Sequence, residues 1–180
     1  MTAAATLLEN PFIPEPRAPI VVEVVETGWA PWASTFKHHH YLLGSGPMPF
    51  STAFTGFDVV TGDPVCFVGV TGLWAGQRRV ARACRLVTHP EWQGAGIGLR
   101  FLNAIAEREW RGEGFIGTPV PTLFHTAHPA LCAGLRRNPH WVQVSQRLTG
   151  DKGKAIKPGS KMAYGKHLRS VAGFRYKGGF

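Results

Sequence analysis

Long hydrophobic runs are missing from this sequence: none approaches the ~20 residues that a membrane-spanning helix needs. Its first residues also lack the basic-then-apolar layout of a secretory signal. These absences argue against a helical membrane protein and lead to the expectation of a soluble, cytoplasmic protein with no membrane partner. Cysteine is scarce. Cys66, Cys84 and Cys132 are odd in number, sit among apolar neighbours and have no C-x-x-C spacing, so they read as buried free thiols rather than a zinc or disulfide framework. A catalytic cysteine is the alternative. Acids are scarce too, 11 against 20 lysines and arginines, and from residue 147 onward Asp151 is the only one.

What is present fits one domain. A chain of 180 residues with 44% apolar content can bury a core. Its positive charge is uneven. Residues 147–180 carry nine bases and one acid, a net of +8 out of the chain's +9. Clustered lysine and arginine attract phosphates whatever the sequence they carry, so Lys152, Lys154, Lys157, Lys161, Lys166 and Arg169 are candidate nucleic-acid contacts. A solvated or disordered tail is the bland alternative.

Residues 1–19, with Pro11, Pro14, Pro16 and Pro19, read as an extended arm, and residues 20–180 as a single domain. A β-branched run at 20–26 predicts a first strand. Aromatics at Trp29, Trp32, Phe36 and Tyr41 suggest a helix starting near Pro31. It would contain Lys37-His38-His39-His40-Tyr41, whose three histidines point about 100° apart on a helix and so cannot make a three-ligand metal site by themselves. Strands at 50–60 and 65–74, joined at Thr61-Gly62-Asp63-Pro64, and a third at 80–88 predict an antiparallel meander. A helix over 95–110 follows, then a short strand at 122–126, a short helix at 128–135, a strand at 141–144 and a terminal strand at 171–176.

The meander leads into the most informative stretch. The strand Ala83-Cys84-Arg85-Leu86-Val87 is followed by His89-Pro90-Glu91-Trp92 and then Gln93-Gly94-Ala95-Gly96-Ile97-Gly98 at the start of the helix. Glycines between strand and helix clear the helix entrance, so backbone N–H groups and the helix dipole can face a pyrophosphate. A dinucleotide fingerprint would sit near the start of repeated βαβ units, whereas about half of this chain comes first and reads as hairpins. A phosphate cradle and a simple tight turn remain.

These residues resemble the acyl-CoA-binding motif of the GNAT superfamily of N-acetyltransferases: Gln93-x-x-Gly96-x-Gly98 after an apolar strand, with His89-Pro90 ahead and an amphipathic helix behind. The resemblance implies an α+β fold with a mixed, mostly antiparallel central sheet flanked by helices. It also implies acetyl-CoA or another acyl-CoA as cofactor. Gln93, Gly94, Ala95, Gly96, Ile97 and Gly98 would hold the pyrophosphate, and the backbone of Arg85, Leu86 and Val87 the pantetheine arm. Many members carry a general-base glutamate on the strand before the loop; here those positions are Arg82, Cys84 and Arg85. Glu91 would lie on the outer lip of the cradle. Tyr41 and Tyr164 are the hydroxyls available to protonate a leaving thiolate.

A narrower likeness rests on Phe36-x-x-x-His40-Tyr41, Thr126-x-His128-Pro129, Trp141 and Phe174-Arg175-Tyr176-x-Gly178. Together with the loop these resemble a phage-associated GNAT group related to the Mom proteins, which modify adenine in DNA against restriction. That resemblance implies double-stranded DNA as partner, with the N6 amine of an extruded adenine receiving an acyl-type or carbamoylmethyl group in a host cytoplasm. It makes His40, Tyr41 and His128 candidate catalytic residues, gives His40 and Tyr41 a role as ligands of a divalent metal such as iron, and allows an ATPase partner or a dimer. Two other expectations stand beside it: a conventional N-acetyltransferase acting on a protein, RNA-linked or small-molecule amine, and a non-catalytic nucleic-acid-binding module.

Overall fold

The computed structural model describes residues 20–40, 46–149 and 169–179. Seven strands form one sheet: β1 (Val22–Glu26), β2 (Ser51–Asp58), β3 (Pro64–Ala75), β4 (Arg78–Thr88), β5 (Thr122–Thr126), β6 (Trp141–Thr149) and β7 (Arg169–Tyr176), in the order β1-β2-β3-β4-β5-β7-β6. All neighbours are antiparallel except β4 and β5. The antiparallel meander and the mostly antiparallel α+β sheet are thus as the sequence predicts. β7 lies between β5 and β6, so the basic stretch from residue 147 is in part sheet: Arg147, Arg169 and Arg175 occupy strand positions. Lys152, Lys154, Lys157, Lys161, Lys166 and Tyr164 lie outside the described residues, as does the arm at 1–19.

Two layers cover the sheet. On the inner face pack helices α1 (Ile97–Arg111) and α2 (Pro129–Arg137). Phe101, Leu102 and Ile105 of α1 meet Phe54, Val68, Val70, Ala83, Phe124 and Phe174. Each such side chain, removed from water, contributes about 2 kcal/mol before conformational costs. On the outer face, Trp32 and Phe36 are fully buried against Ala53, Phe67 and Val87, with Trp29 at the edge. The predicted helix at this place is instead one π-turn (Trp32–Phe36) running into a 3₁₀ turn (Lys37–His39). The wider π-turn is compatible with putting two large rings, four residues apart, onto one flat sheet.

α1 begins two residues later than the pattern suggests, because Gly96 takes a left-handed φ of 73° and serves as its N-cap. It ends at Gly112, also left-handed, whose N–H reaches the carbonyls of Arg108 and Glu109. Glu109 is buried on this helix; its carboxylate accepts from the backbone N–H groups of Phe115 (2.7 Å) and Ile116 (3.2 Å) and so folds the following loop against the core. Burial pushes its carboxyl above the ordinary range, with those two hydrogen bonds acting against the rise.

The C-terminal strand is tied to α1 through one phenol. The Tyr176 hydroxyl donates to Glu107 Oε2 at 2.7 Å, and Arg111 Nε donates to Glu107 Oε1 at 2.8 Å. Burial and the Glu107 carboxylate raise the phenol's pKa. For a group whose folded pKa lies above its unfolded value, the stabilisation is complete below the unfolded pKa and disappears as pH climbs towards the folded one. Tyr176→Phe should therefore cost about 1–2 kcal/mol at neutral pH, with the gap to the parent closing above about pH 10. Urea unfolding of both proteins across pH 7–11 reads this out; a gap that widens above pH 10 would contradict it.

Candidate active site

The site begins with a fault in β4. Phe67 pairs with Val87 and Gly69 with Cys84, so the single residue Val68 on β3 faces two on β4, Arg85 and Leu86. This is a β-bulge, and Arg85 takes a left-handed φ of 57° to make it. Leu86 packs with the inner core while the Arg85 guanidinium lies over Trp32 on the outer face, 5.9 Å from the ring centre. Pairing between β4 and β5 covers only Ala81, Arg82 and Ala83 against Thr122, Leu123 and Phe124. Beyond Ala83, β4 keeps β3 on one edge and has no strand partner on the other among the described residues. Its free backbone groups there need partners, and an extended ligand arm could supply them.

The loop that follows is held rigidly from below. His89 donates its N–H to the Val65 carbonyl at 2.8 Å. A 3₁₀ turn (Pro90–Trp92) follows, and the Gln93 side-chain amide reaches back to the Thr88 carbonyl at 3.0 Å. The Gln93 side chain is thus committed to the loop itself, and what it offers a ligand is backbone. The three glycines have different reasons to be glycine. Gly94 and Gly96 have φ values of 86° and 73°, and a Cβ on either would meet nothing within 4 Å, so the space above them is open. Gly98 lies inside the first turn of α1, where a Cβ would approach Thr88 Oγ1 to 2.6 Å; it lets the helix start lie directly on β4. Ile97 is buried and anchors that turn.

The first intrahelical bond runs from Arg100 N–H to the Gly96 carbonyl, leaving the N–H groups of Ile97, Gly98 and Leu99 without helical acceptors. The first turn holds no acid and Gly96 offers no side-chain cap. These features fit the pyrophosphate of an acyl-CoA at the loop, with the arm along Arg85, Leu86 and Val87. Bound there, the cofactor would supply an acyl group activated as a thioester.

Around Trp32 the outer face gathers the residues suited to chemistry. His40 is 6% exposed and its ring meets Trp32 edge-on, 5.3 Å between centres. Arg85 touches the same indole, its Nη2 reaches the Gly46 carbonyl at 3.5 Å, and its buried Nε has no partner among the described residues. His39 and His89 meet edge to face at 5.1 Å, joining this cluster to the loop. His40 and Arg85 are therefore brought together, at the bulge. His128 sits elsewhere, as the N-cap of α2 just after β5: its Nδ1 accepts from Leu131 N–H at 3.4 Å, and its own N–H donates to Thr126 Oγ1. Tyr41 lies outside the described residues, and among the described residues no three of His, Cys, Asp and Glu gather as a metal centre.

Cys66 and Cys84 are poor nucleophiles. Burial pushes Cys66 up to about 12, and raises Cys84 despite the opposing charges of Arg85 and Arg82. Strands β3 to β7 contain no acid at all. They carry Arg78, Arg79, Arg82, Arg85, Arg147, Arg169 and Arg175. Burial, with Arg82 and Arg147 close by, holds the His125 pKa below the ordinary histidine range. This arginine surface is drawn from three strands, β4, β6 and β7; the shortage of acids and the basic stretch from residue 147 were its signs in the sequence.

Solved structures of acetyltransferases, a GNAT-family member among them, share this fold. Arabidopsis thaliana NAA60 in complex with a bisubstrate analogue is similar over 87% of this chain and 98% of its own, at 12% identity and a TM-score of 0.58. The ribosomal-protein-S5-alanine acetyltransferase of Vibrio fischeri matches 84% of this chain and 91% of its own, at 10% and 0.57. An acetyltransferase of the GNAT family from Streptococcus pneumoniae matches 86% and 98%, at 12% and 0.56. No protein-family model and no curated protein sequence matches the chain. At these identities the likeness establishes the fold. Among the described residues, no helix is long and apolar enough to cross a membrane.

Proposed function

We propose that this protein is an acyl-CoA-dependent N-acyltransferase whose acceptor amine is carried by double-stranded DNA, the exocyclic amine of an adenine. The observation that carries the reading is the opening beside β4. One edge is a cap-free helix start and glycine loop suited to a pyrophosphate; strands β3 to β7 carry seven arginines and no acid, with Arg82 and Arg85 the ones beside the opening. An acceptor rich in phosphate suits that surface, and a cationic peptide does not. The GNAT fold supports the acyl-transfer half of the proposal.

The chain's own residues divide the work. Loop amides and the start of α1 hold the pyrophosphate, and the β4 backbone beyond Ala83 aligns the arm. Arg85 has a buried donor to give to an anionic group of the acceptor, and Arg82 and Arg175 hold the adjoining backbone. An adenine amine is a weak nucleophile because its lone pair is delocalised into the ring, so its proton must leave as the new bond to carbon forms. β4 has no carboxylate, so in this reading His40, packed beside Trp32, takes that proton, and Tyr41 follows it directly in sequence.

Nucleosides from DNA of cells expressing the protein should contain a new adenine species heavier by one acyl group. A mass increment of one carbamoylmethyl group would instead point to the Mom-type reaction. Unmodified DNA under adequate expression would remove the DNA acceptor. A protein amine is the second reading, favoured by the substrate named for the Vibrio fischeri neighbour. Truncation at residue 147 cannot separate the two, because it removes β7 from the centre of the sheet half it completes; incubation of the full chain with acetyl-CoA and either DNA or a peptide amine can.

A further inference from the structure

At the end of the sheet opposite the glycine loop lies an open groove where β4 starts and α1 and β7 finish. It encloses about 620 Å³, and Arg78, Arg79, Arg175, Lys177, Trp110 and Tyr176 line it. No acid lines it. Glu107, reached through the Tyr176 hydroxyl, is already engaged by Arg111. Four like charges around one groove repel each other, and a polyanion relieves that repulsion. Trp110, 40% exposed, lies among these cations.

The groove is continuous with the outer face. Arg82 on β4 and Arg175 on β7 flank Leu123 of β5 in register, and Arg82 and Arg147 both act on His125. From Arg78 to Thr88, β4 runs about 30 Å, close to one turn of a DNA duplex at about 34 Å. A duplex lying along it would have phosphates at the groove and, one turn on, at the β4–β5 opening.

We propose that this groove is a second, non-catalytic phosphodiester site that anchors the duplex whose base is acylated at the opening, the backbone passing over Arg175 and Arg82. The inference rests on the DNA-acceptor reading above. Arg78, Arg79 and Lys177 are exposed, so Arg78→Glu, Arg79→Glu and Lys177→Glu together should leave the fold intact, as circular dichroism would confirm. In the full chain, anisotropy of a labelled duplex titrated across KCl should show affinity lowered about tenfold or more and the salt slope reduced by about two to three. Acetyl-CoA should stabilise parent and variant equally, because the loop is untouched.

Parental affinity and slope in the variant overturn the groove, and if the parent still modifies DNA the acceptor reading stands without it. A parent that acylates a peptide amine but neither binds nor modifies duplex overturns the acceptor reading, and the groove with it. Binding of a phosphopeptide in preference to duplex also overturns the groove as a DNA site.

Discussion

Gly98→Ala should weaken acetyl-CoA binding about tenfold or more and lower stability, and Thr88→Ala should restore most of both. Alanine is the better helix former by up to about 1 kcal/mol, so at an unobstructed helical position this change stabilises. Here the added methyl would come within 2.6 Å of Thr88 Oγ1, and neither partner is loose: Gly98 is in the first turn of α1, and Thr88 closes β4, its carbonyl held by Gln93. The helix start must lift off the strand, at a cost typical of overpacking, about 1–3 kcal/mol. That lift displaces the N–H groups of Gly98 and Leu99, which lack helical acceptors and belong to the proposed cradle. Removing the Thr88 hydroxyl removes the obstruction, since the next nearest atom, Thr88 Cβ, is 4.0 Å away. Calorimetric titration and thermal unfolding of the two single variants and the double variant form a cycle with a large coupling term. Gly98→Ala that is more stable than the parent and binds as tightly would end the explanation. Gly94→Ala and Gly96→Ala make the control: their cost is backbone strain at positive φ, and Thr88→Ala should not relieve it.

That contrast also shows where the sequence was readable. The strand, loop and helix around Gln93 to Gly98 depend on local signals: an apolar run, glycines, and an amphipathic helix closed by Gly112. They appear where the pattern predicts, within two residues. The hairpin between β2 and β3 was legible too, although its turn is wider than expected. Asp58 accepts from Val60 N–H and the Thr61 hydroxyl, and this turn leaves Val59 and Val60 exposed.

What escaped the sequence was set by pairing at a distance. Nothing local marks Arg85 as left-handed; the register of β3 against β4 requires it. The π-turn at residues 32–36 exists because Trp32 and Phe36 have a sheet to cover, and helix periodicity carries no sign of that. The basic stretch from residue 147 looked like one surface, yet β7 threads between β5 and β6 and distributes its arginines over the sheet, where they join Arg78, Arg79 and Arg82 from a different part of the chain. His128 has a local structural role as well. Its motif, Thr126-x-His128-Pro129, serves as a helix cap with proline at the first helical position.

Arg85→Gly is the second large effect, and it separates stability from function. An arginine at φ 57° carries about 1–2 kcal/mol of backbone strain, which glycine does not. The loss of the guanidinium over Trp32 costs about 0.5–1 kcal/mol. The two nearly cancel, so unfolding should stay within about 1 kcal/mol of the parent by this sum. Acetyl-CoA affinity should also hold, because the cofactor arm would be served by β4 backbone at this position. Transfer to DNA, however, should fall about a hundredfold, the scale of losing one preorganised donor to a charged group. Arg85→Lys should recover only part of the rate, since an ammonium keeps the charge but not the planar fork. The decisive comparison is with a small neutral amine as acceptor. If Arg85 holds an anionic group of the acceptor, the variant should acylate that amine nearly as well as the parent does. Equal losses on both acceptors would place Arg85 in the handling of the acyl group instead. An unchanged rate on DNA would leave the strained residue with no functional reason to be arginine.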